Sequence, residues 1–229
     1  MKVSVAMAAY NGERYICEQL DSILAQLSPD DEVIVSDDCP NSEMSDMVKK
    51  MAAKDSRIRY VEGPCLGVIK NFEHALRLTT GDIIFLADQD DVWLPGKVEA
   101  VKSEIQKGSL LVMHDASVTD AELGITEPSF FAVHGTKKGF VRNIIKNSYM
   151  GCCMAFDKRL KEYILPFPAD LPMHDQYIGL MAEKHGKVTL LNKPYLLYRQ
   201  HGDNVTGGKT TLPQKIKWRI DIIKNTVGG

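Results

Sequence analysis

The sequence predicts an α/β chain built on a mostly parallel sheet. Short apolar runs alternate with amphipathic helical stretches through the first 87 residues. The breaks between them hold Gly, Asn, Asp and Pro, the residues that turn a chain. The 229 residues, 44% apolar and 25% charged, have an ordinary globular composition and are enough for one sizeable core.

Val3 to Ala8 reads as a buried strand of small and β-branched residues. Tyr10-Asn11-Gly12 is turn chemistry, and Asn11 or Gly12 can cap the helix that follows. Ile16, Leu20, Ile23, Leu24 and Leu27 fall on one face of that helix, which Ser28-Pro29-Asp30-Asp31 stops. Glu32 to Ser36 is a second strand ending in Asp37-Asp38. Met44, Met47, Val48 and Met51 line one side of the next helix, and Ile58 to Val61 forms a third strand closed by Gly63-Pro64. A helix over about Lys70 to Leu78 leads through Thr79-Thr80-Gly81-Asp82 into the strand Ile83 to Ala87. The order β-α-β-α-β-α-β gives a parallel sheet with right-handed crossovers, a Rossmann-like half.

The second half is less regular. Val98, Val101 and Ile105 mark an amphipathic helix and Leu110 to Met113 a strand. Residues 123–138 read as a long loop, which in a compact domain is often functional. Met154 to Phe156 and Val188 to Leu191 are short strands, with a helix from about Asp175 to His185 between them. The adjacent Cys152-Cys153 reads as strand packing, one side chain on each face. No repeat or composition shift marks a linker, so residues 1–229 are expected to be one continuous domain. Its tail places Ile216, Ile220 and Ile223 on one helical face amid Lys215, Lys217, Arg219 and Lys224. Such a helix either docks on the domain or lies on an acidic membrane surface. The chain stops abruptly in Gly228-Gly229, as a truncated chain would.

Twenty-eight basic against 30 acidic residues give a net charge of -2, which speaks against nucleic acid as a partner. No apolar run approaches the roughly 18 residues of a membrane span. Lys2 is followed directly by strand and turn residues, so the N-terminus reads as a strand and not a signal peptide. Five cysteines, an odd count with no Cys-x-x-Cys pair, point to reduced thiols in a cytosolic protein and away from zinc.

Open parallel sheets bind ligands beyond the carboxyl ends of their strands. Four loops therefore belong together: Ala8-Ala9-Tyr10-Asn11, Asp37-Asp38, Cys65-Leu66-Gly67 with Lys70-Asn71, and Asp88-Gln89-Asp90-Asp91. They offer an aromatic ring for a base, carboxylates for base or ribose edges, and a cation for phosphate. No G-x-G-x-x-G or G-x-x-x-x-G-K is present, so a diphosphate needs another partner. Three carboxylates within four residues repel one another, and Mg²⁺ or Mn²⁺ would relieve that repulsion. In extended backbone Asp88 and Asp90 would point the same way, roughly 6.6 Å apart. The plain alternative is a solvated acidic turn.

The segments Val3 to Gly12, Val33 to Asp38 and Phe85 to Trp93 resemble the nucleotide-sugar half of family-2 glycosyltransferases. Met173-His174-Asp175-Gln176 resembles that family's acceptor-side acidic motif, and Leu197 to Val205 the closing segment of its rhamnosyltransferase-like members. One departure is Cys39-Pro40 after the second acidic pair. The resemblance covers about residues 1–208 and implies a GT-A fold. A Rossmann-like nucleotide-binding half (about 1–112) would run into a smaller acceptor half (about 113–208), followed by a C-terminal amphipathic helix (209–229). It implies an inverting, metal-dependent transfer from a UDP- or dTDP-linked sugar to a saccharide acceptor, at work in the cytoplasm or at the inner face of the cell membrane.

By the same resemblance, Ala8, Tyr10, Asp37 and Asp38 would hold base and ribose; from the loops themselves Asn11 and Gln89 are further donor-nucleotide candidates, and Lys70 could meet phosphate. Asp88 would touch ribose or metal, Asp90 would ligate Mn²⁺ or Mg²⁺, His201 would be a further metal ligand or a diphosphate contact, and Asp175 would be the catalytic base. Blander roles stand beside these: a surface lysine for Lys70, a loop histidine for His201, a helix N-cap for Asp175, and core or cleft wall for Trp93. His174 is a rival base, and His114-Asp115 either lines the sugar site or is structural. A nucleotidyltransferase or an inactive nucleotide-sugar-binding module are the alternatives. Glu13, where the former would carry a basic phosphate loop, and the full acidic set speak against them.

Overall fold

The computed structural model describes residues 1–202 and 211–227, so Asp203, Asn204 and Val205 of the closing segment lie outside the described residues. Strands β1 (Val3–Ala9), β2 (Glu32–Asp37), β3 (Ile58–Glu62) and β4 (Ile83–Ala87) lie parallel in the spatial order β3-β2-β1-β4. Helices α1 (Ile16–Leu24), α2 (Glu43–Ala52) and α3 (Val68–Leu78) make the crossovers. β1 and β4 are buried along their whole length, as strands covered on both faces require, which is why they read as unbroken apolar runs. With β2 on one side of β1 and β4 on the other, the winding reverses at β1 and opens a crevice at the strands' carboxyl ends.

The chain continues through β5 (Val92–Trp93), α4 (Lys97–Gln106), β6 (Ser109–Thr119), β7 (Ile125–Glu127), α5 (Phe130–His134) and α6 (Phe140–Ile145). A 3₁₀ turn at Gly151–Cys153, β8 (Met154–Asp157), α7 (Lys161–Ile164), α8 (His174–His185), β9 (Lys187–Arg199) and α9 (Leu212–Val227) follow. The sheet extends past β4 as β8-β6-β9-β5, with β8 antiparallel to β4 and β6, and β9 parallel to β6. One sheet thus runs through the whole of the described chain, as the resemblance implies.

Several elements differ from expectation. Residues 123–138 are not a bare loop: β7 pairs with β6, and α5 is held by Asp115, whose carboxylate accepts from Phe131 N at 2.8 Å and Ser129 Oγ at 2.5 Å. That anchor is tertiary, so no local periodicity announces it. β9 runs 13 residues instead of four, because pairing with β6 carries it through the interruption at Asn192-Lys193-Pro194, where the register shifts. Cys152 and Cys153 lie in the 3₁₀ turn before β8, both buried, and not on two faces of a strand. α9 docks through Ile222 and Thr226, whereas Ile216, Ile220 and Ile223 are exposed.

Candidate active site

The crevice is a cavity of about 1180 Å³ lined by the loops after β1, β2, β3 and β4 and by the start of α8. Ala8 to Gly12 form one wall, with the Tyr10 ring exposed at the mouth and Asn11 turning the chain at φ 50°. Gln89 clamps this loop: Tyr10 N donates to its Oε1 and its Nε2 donates to Tyr10 O, both at 2.7 Å. Asp38 lines the cavity and accepts from Cys65 N and Gly67 N at 2.7 Å, which ties the β2 and β3 loops together.

Asp37 and Lys70 are placed elsewhere. The Asp37 carboxylate is fully buried and accepts from Ser45 Oγ (2.5 Å), Cys39 N (3.0 Å) and Tyr60 Oη (3.1 Å), fixing α2 and β3. Lys70 Nζ donates to Glu73 at 2.6 Å along α3. Neither lines the cavity, so their expected donor contacts are not part of this arrangement. Asn71 lines it instead, donating to Ala9 O and Ser36 O.

The acidic loop departs from extended geometry once β4 ends at Ala87. A grouping not singled out from the sequence forms here: Asp88, Asp91 and Cys152 bring their ligand atoms within 4.8 Å of one another. Asp90 pairs with His201, Oδ2 to Nε2 at 2.9 Å, and the His201 ring packs on Tyr15. Burial, then the neighbouring Asp90 and Asp175 charges, push Asp88 up to about 7. Burial and the other acids also hold Asp91 well above the usual carboxylate range. Asp91 Oδ1 accepts from Arg199 N at 3.1 Å, while the buried Oδ2 has no hydrogen-bond partner among the described residues.

Such an orphaned oxygen amid crowded carboxylates fits a hard divalent cation. Asp88, Asp90, Asp91 and His201 supply suitable oxygen and nitrogen donors. Cys152 does not: contact with Cys153 and burial keep its soft sulfur protonated.

Two cations behind this loop were not predicted. Lys97, fully buried, donates to Cys152 O at 3.0 Å and lies 3.9 Å from the Trp93 ring centroid. Burial lowers it to about 8, against the pull of Asp91 and Asp88. Its signal was present, since Lys97 precedes Val101 and Ile105 by four and eight residues and so shares their apolar face. Arg199, also buried, donates through Nε to Asp90 O at 2.8 Å and through Nη2 to Glu18 at 2.5 Å. It straps the end of β9 to the acidic loop across more than a hundred residues, which no local pattern reveals.

Asp175, also lining the cavity, lies in the first turn of α8, with Met173 and not Asp175 at the N-cap. Its Oδ1 accepts from Gln176 N at 2.6 Å. A helix N-terminus favours the carboxylate, yet burial wins and raises Asp175 to about 7. His174 stacks on Phe72 with both ring nitrogens lacking partners among the described residues, and burial lowers it to about 4. His114 and Asp115 lie inside β6, buried and off the cavity; they are structural, and Trp93 is core.

The family profile described as "Glycosyl transferase family 2" matches residues 4–165. A protein of Shigella flexneri named dTDP-rhamnosyl transferase RfbG is 26% identical over 96% of this chain and 79% of its own length. The Escherichia coli protein named UDP-Glc:alpha-D-GlcNAc-diphosphoundecaprenol beta-1,3-glucosyltransferase WfgD is 24% identical over 98% of this chain and 86% of its own. A crystal structure of S. aureus TarS 1-349 in complex with UDP-GlcNAc superposes with a TM-score of 0.76 at 20% identity, over 99% of this chain and 67% of that one. Another TarS 1-349 structure is covered over 60% of its length. With a matching profile over most of its length and the same fold as TarS, the chain belongs to glycosyltransferase family 2 and is a glycosyltransferase.

Proposed function

We propose that the chain moves a hexosyl or deoxyhexosyl group, with inversion, from a UDP- or dTDP-linked donor to a saccharide acceptor, free or lipid-linked. The observation that carries the reading is Asp175: a cavity-lining carboxylate, raised to about 7, near enough to Asp88 for the two charges to oppose each other. On this reading the loops that would hold the donor and the group that would accept the proton share one cavity.

Asp38 and the Tyr10 loop would take base and ribose. The acceptor hydroxyl attacks the anomeric carbon from the Asp175 side. The new C–O bond forms as the bond to diphosphate breaks, the electron pair leaves with the nucleoside diphosphate, and the proton passes to the Asp175 carboxylate. Asp88, Asp90, Asp91 and His201 would hold Mn²⁺ or Mg²⁺, which when bound neutralises charge on the leaving diphosphate. At about 4, His174 is too weak a base to compete near neutral pH; its open nitrogens suit hydrogen bonds to sugar hydroxyls. The relatives named for dTDP-rhamnosyl and UDP-glucosyl transfer support both donor bases. The cytoplasmic setting, at or near the membrane's inner face, belongs to the same reading.

The test is a panel of UDP- and dTDP-sugars with Mn²⁺, Mg²⁺ or EDTA, read by calorimetric binding and released nucleoside diphosphate. Binding and turnover of one donor, both lost in EDTA, are expected. Equal nucleotide binding in EDTA would remove the metal from the reading, and binding without any turnover across acceptors would favour a binding module.

A further inference from the structure

We propose that α9 and α6 together form a docking face for an anionic lipid bilayer, with the apolar side of α9 lying in the interface. This does not rest on the glycosyltransferase reading. A helix that only packs on a domain turns its apolar stripe inward; α9 does the reverse. Leu212, Ile216, Ile220, Ile223 and Val227 are 68, 48, 59, 43 and 58% exposed. At about 100° per residue they fall within an arc of about 80°. Ile222 and Thr226, the buried positions, lie beside that arc and not in it. Val141 and Ile145 of α6, 69 and 61% exposed, lengthen the patch, and Arg219 Nη2 bonds Ile145 O at 3.0 Å to hold the two helices together.

Charge identifies the partner. Residues 137–146 and 212–227 carry eight Lys and Arg and one acid, Asp221, in a chain with 28 basic and 30 acidic residues. On the helical wheel Lys217 and Lys224 flank the apolar arc on one side, and Lys215 and Arg219 on the other. Lys217 and Lys224 also pair with Asp221 and Asp170, but the rest of the rim keeps the excess. Long basic side chains beside an apolar stripe can reach headgroups while the stripe enters the acyl boundary. A second copy would bring one basic rim against another, which is unfavourable. No helix among the described residues is long and apolar enough to cross a membrane, so the contact is peripheral.

On the glycosyltransferase reading, which the docking itself does not need, the face adjoins the acceptor side: α9 packs on α8, the helix that carries Asp175, through Lys184 Nζ to Thr226 O at 3.1 Å. Docking there would bring the acceptor side of the cavity near the lipid surface.

The full chain should co-sediment with phosphatidylcholine vesicles containing phosphatidylglycerol, much less with phosphatidylcholine alone, and less as salt rises. Ile216→Glu/Ile220→Glu should abolish binding, and Arg142→Glu/Lys146→Glu should weaken it by roughly tenfold or more. All four positions are exposed, and circular dichroism with matched melting curves checks that the variants fold. Absence of vesicle binding, equal binding to both vesicle types, or unchanged binding by both variants would overturn the proposal. So would sedimentation equilibrium showing a dimer that Ile216→Glu/Ile220→Glu dissociates while lipid binding is absent.

Discussion

Asp175 and His174 are chain neighbours that burial moves in opposite directions, the acid up to about 7 and the imidazole down to about 4. Both shifts follow from one cost, that of charge in a poorly solvated wall. On the proposed mechanism they suit different tasks, Asp175 exchanging a proton near neutral pH and His174 staying neutral. Asp175→Asn keeps the size and removes the proton acceptor. Transfer should fall by roughly 10²-fold or more with donor affinity near normal, read as released diphosphate and calorimetric binding. The wild-type rate should rise with pH through about 7, since a base must be ionised to act. Transfer that survives within about threefold would remove Asp175 from the role. Lys97→Met tests the buried cation: it keeps the stem but withdraws a charge that favours ionised Asp88 and Asp91. Nucleotide-dependent Mn²⁺ binding should weaken at neutral pH and recover at alkaline pH. Equal binding at both would limit Lys97 to packing.

At the scale of elements, the donor wall depends on how closely β3 ends against the β2 loop. Gly63 makes that approach possible. A Cβ there would lie 2.6 Å from Asn71 Oδ1 and 2.9 Å from both Asp37 O and Asp38 Oδ1. Backbone and short, hydrogen-bonded side chains cannot yield cheaply. Gly63→Ala should therefore cost about 1–3 kcal/mol in denaturant unfolding, as overpacked sites do, and should weaken UDP binding by displacing Asp38. A variant that loses stability but binds UDP as tightly as the parent would show that Asp38 does not hold the nucleoside. The start of α4 is a second such point: Gly96 occupies φ 85°, which lets the chain turn from β5 so that Lys97 enters the core.

For the whole molecule, the same shifts set how stability follows pH. Asp175 titrates near 7 in the fold against 3.8 for the free group, so the native state holds more protons between those values. Stability contributed there falls as pH rises. His174, near 4 in the fold against 6.5, acts oppositely and offsets it below 6.5. Asp175→Asn isolates one of the two. Its melting temperature should move upward relative to wild type as pH rises from about 4 to about 8. A difference that stays constant across that range would mean Asp175 is not buried in the shifted form.

The sequence by itself determined the α/β alternation, because β1 and β4 are nearly unbroken apolar runs, β2 and β3 carry shorter ones, and α1 to α3 carry plain 3.6-residue stripes. It also determined which loops share a crevice, since in a parallel sheet every strand's carboxyl end faces the same edge. Ala8, Tyr10, Asn11, Asp38, Asp88, Gln89 and Asp90 accordingly line one cavity; Asp175 and His201, singled out by the family resemblance and not by the strand order, line it too. The direction of each side chain was decided by the tertiary structure. Asp37 and Asp38 are adjacent and equivalent in type, but Ser45 and Tyr60 draw one inward while the β3 loop amides hold the other at the cavity. Asp90 meets His201 across 111 residues, and Arg199 reaches Glu18 across 181. Contacts of that span leave no period in the sequence, because they depend on where β9 lies in the sheet.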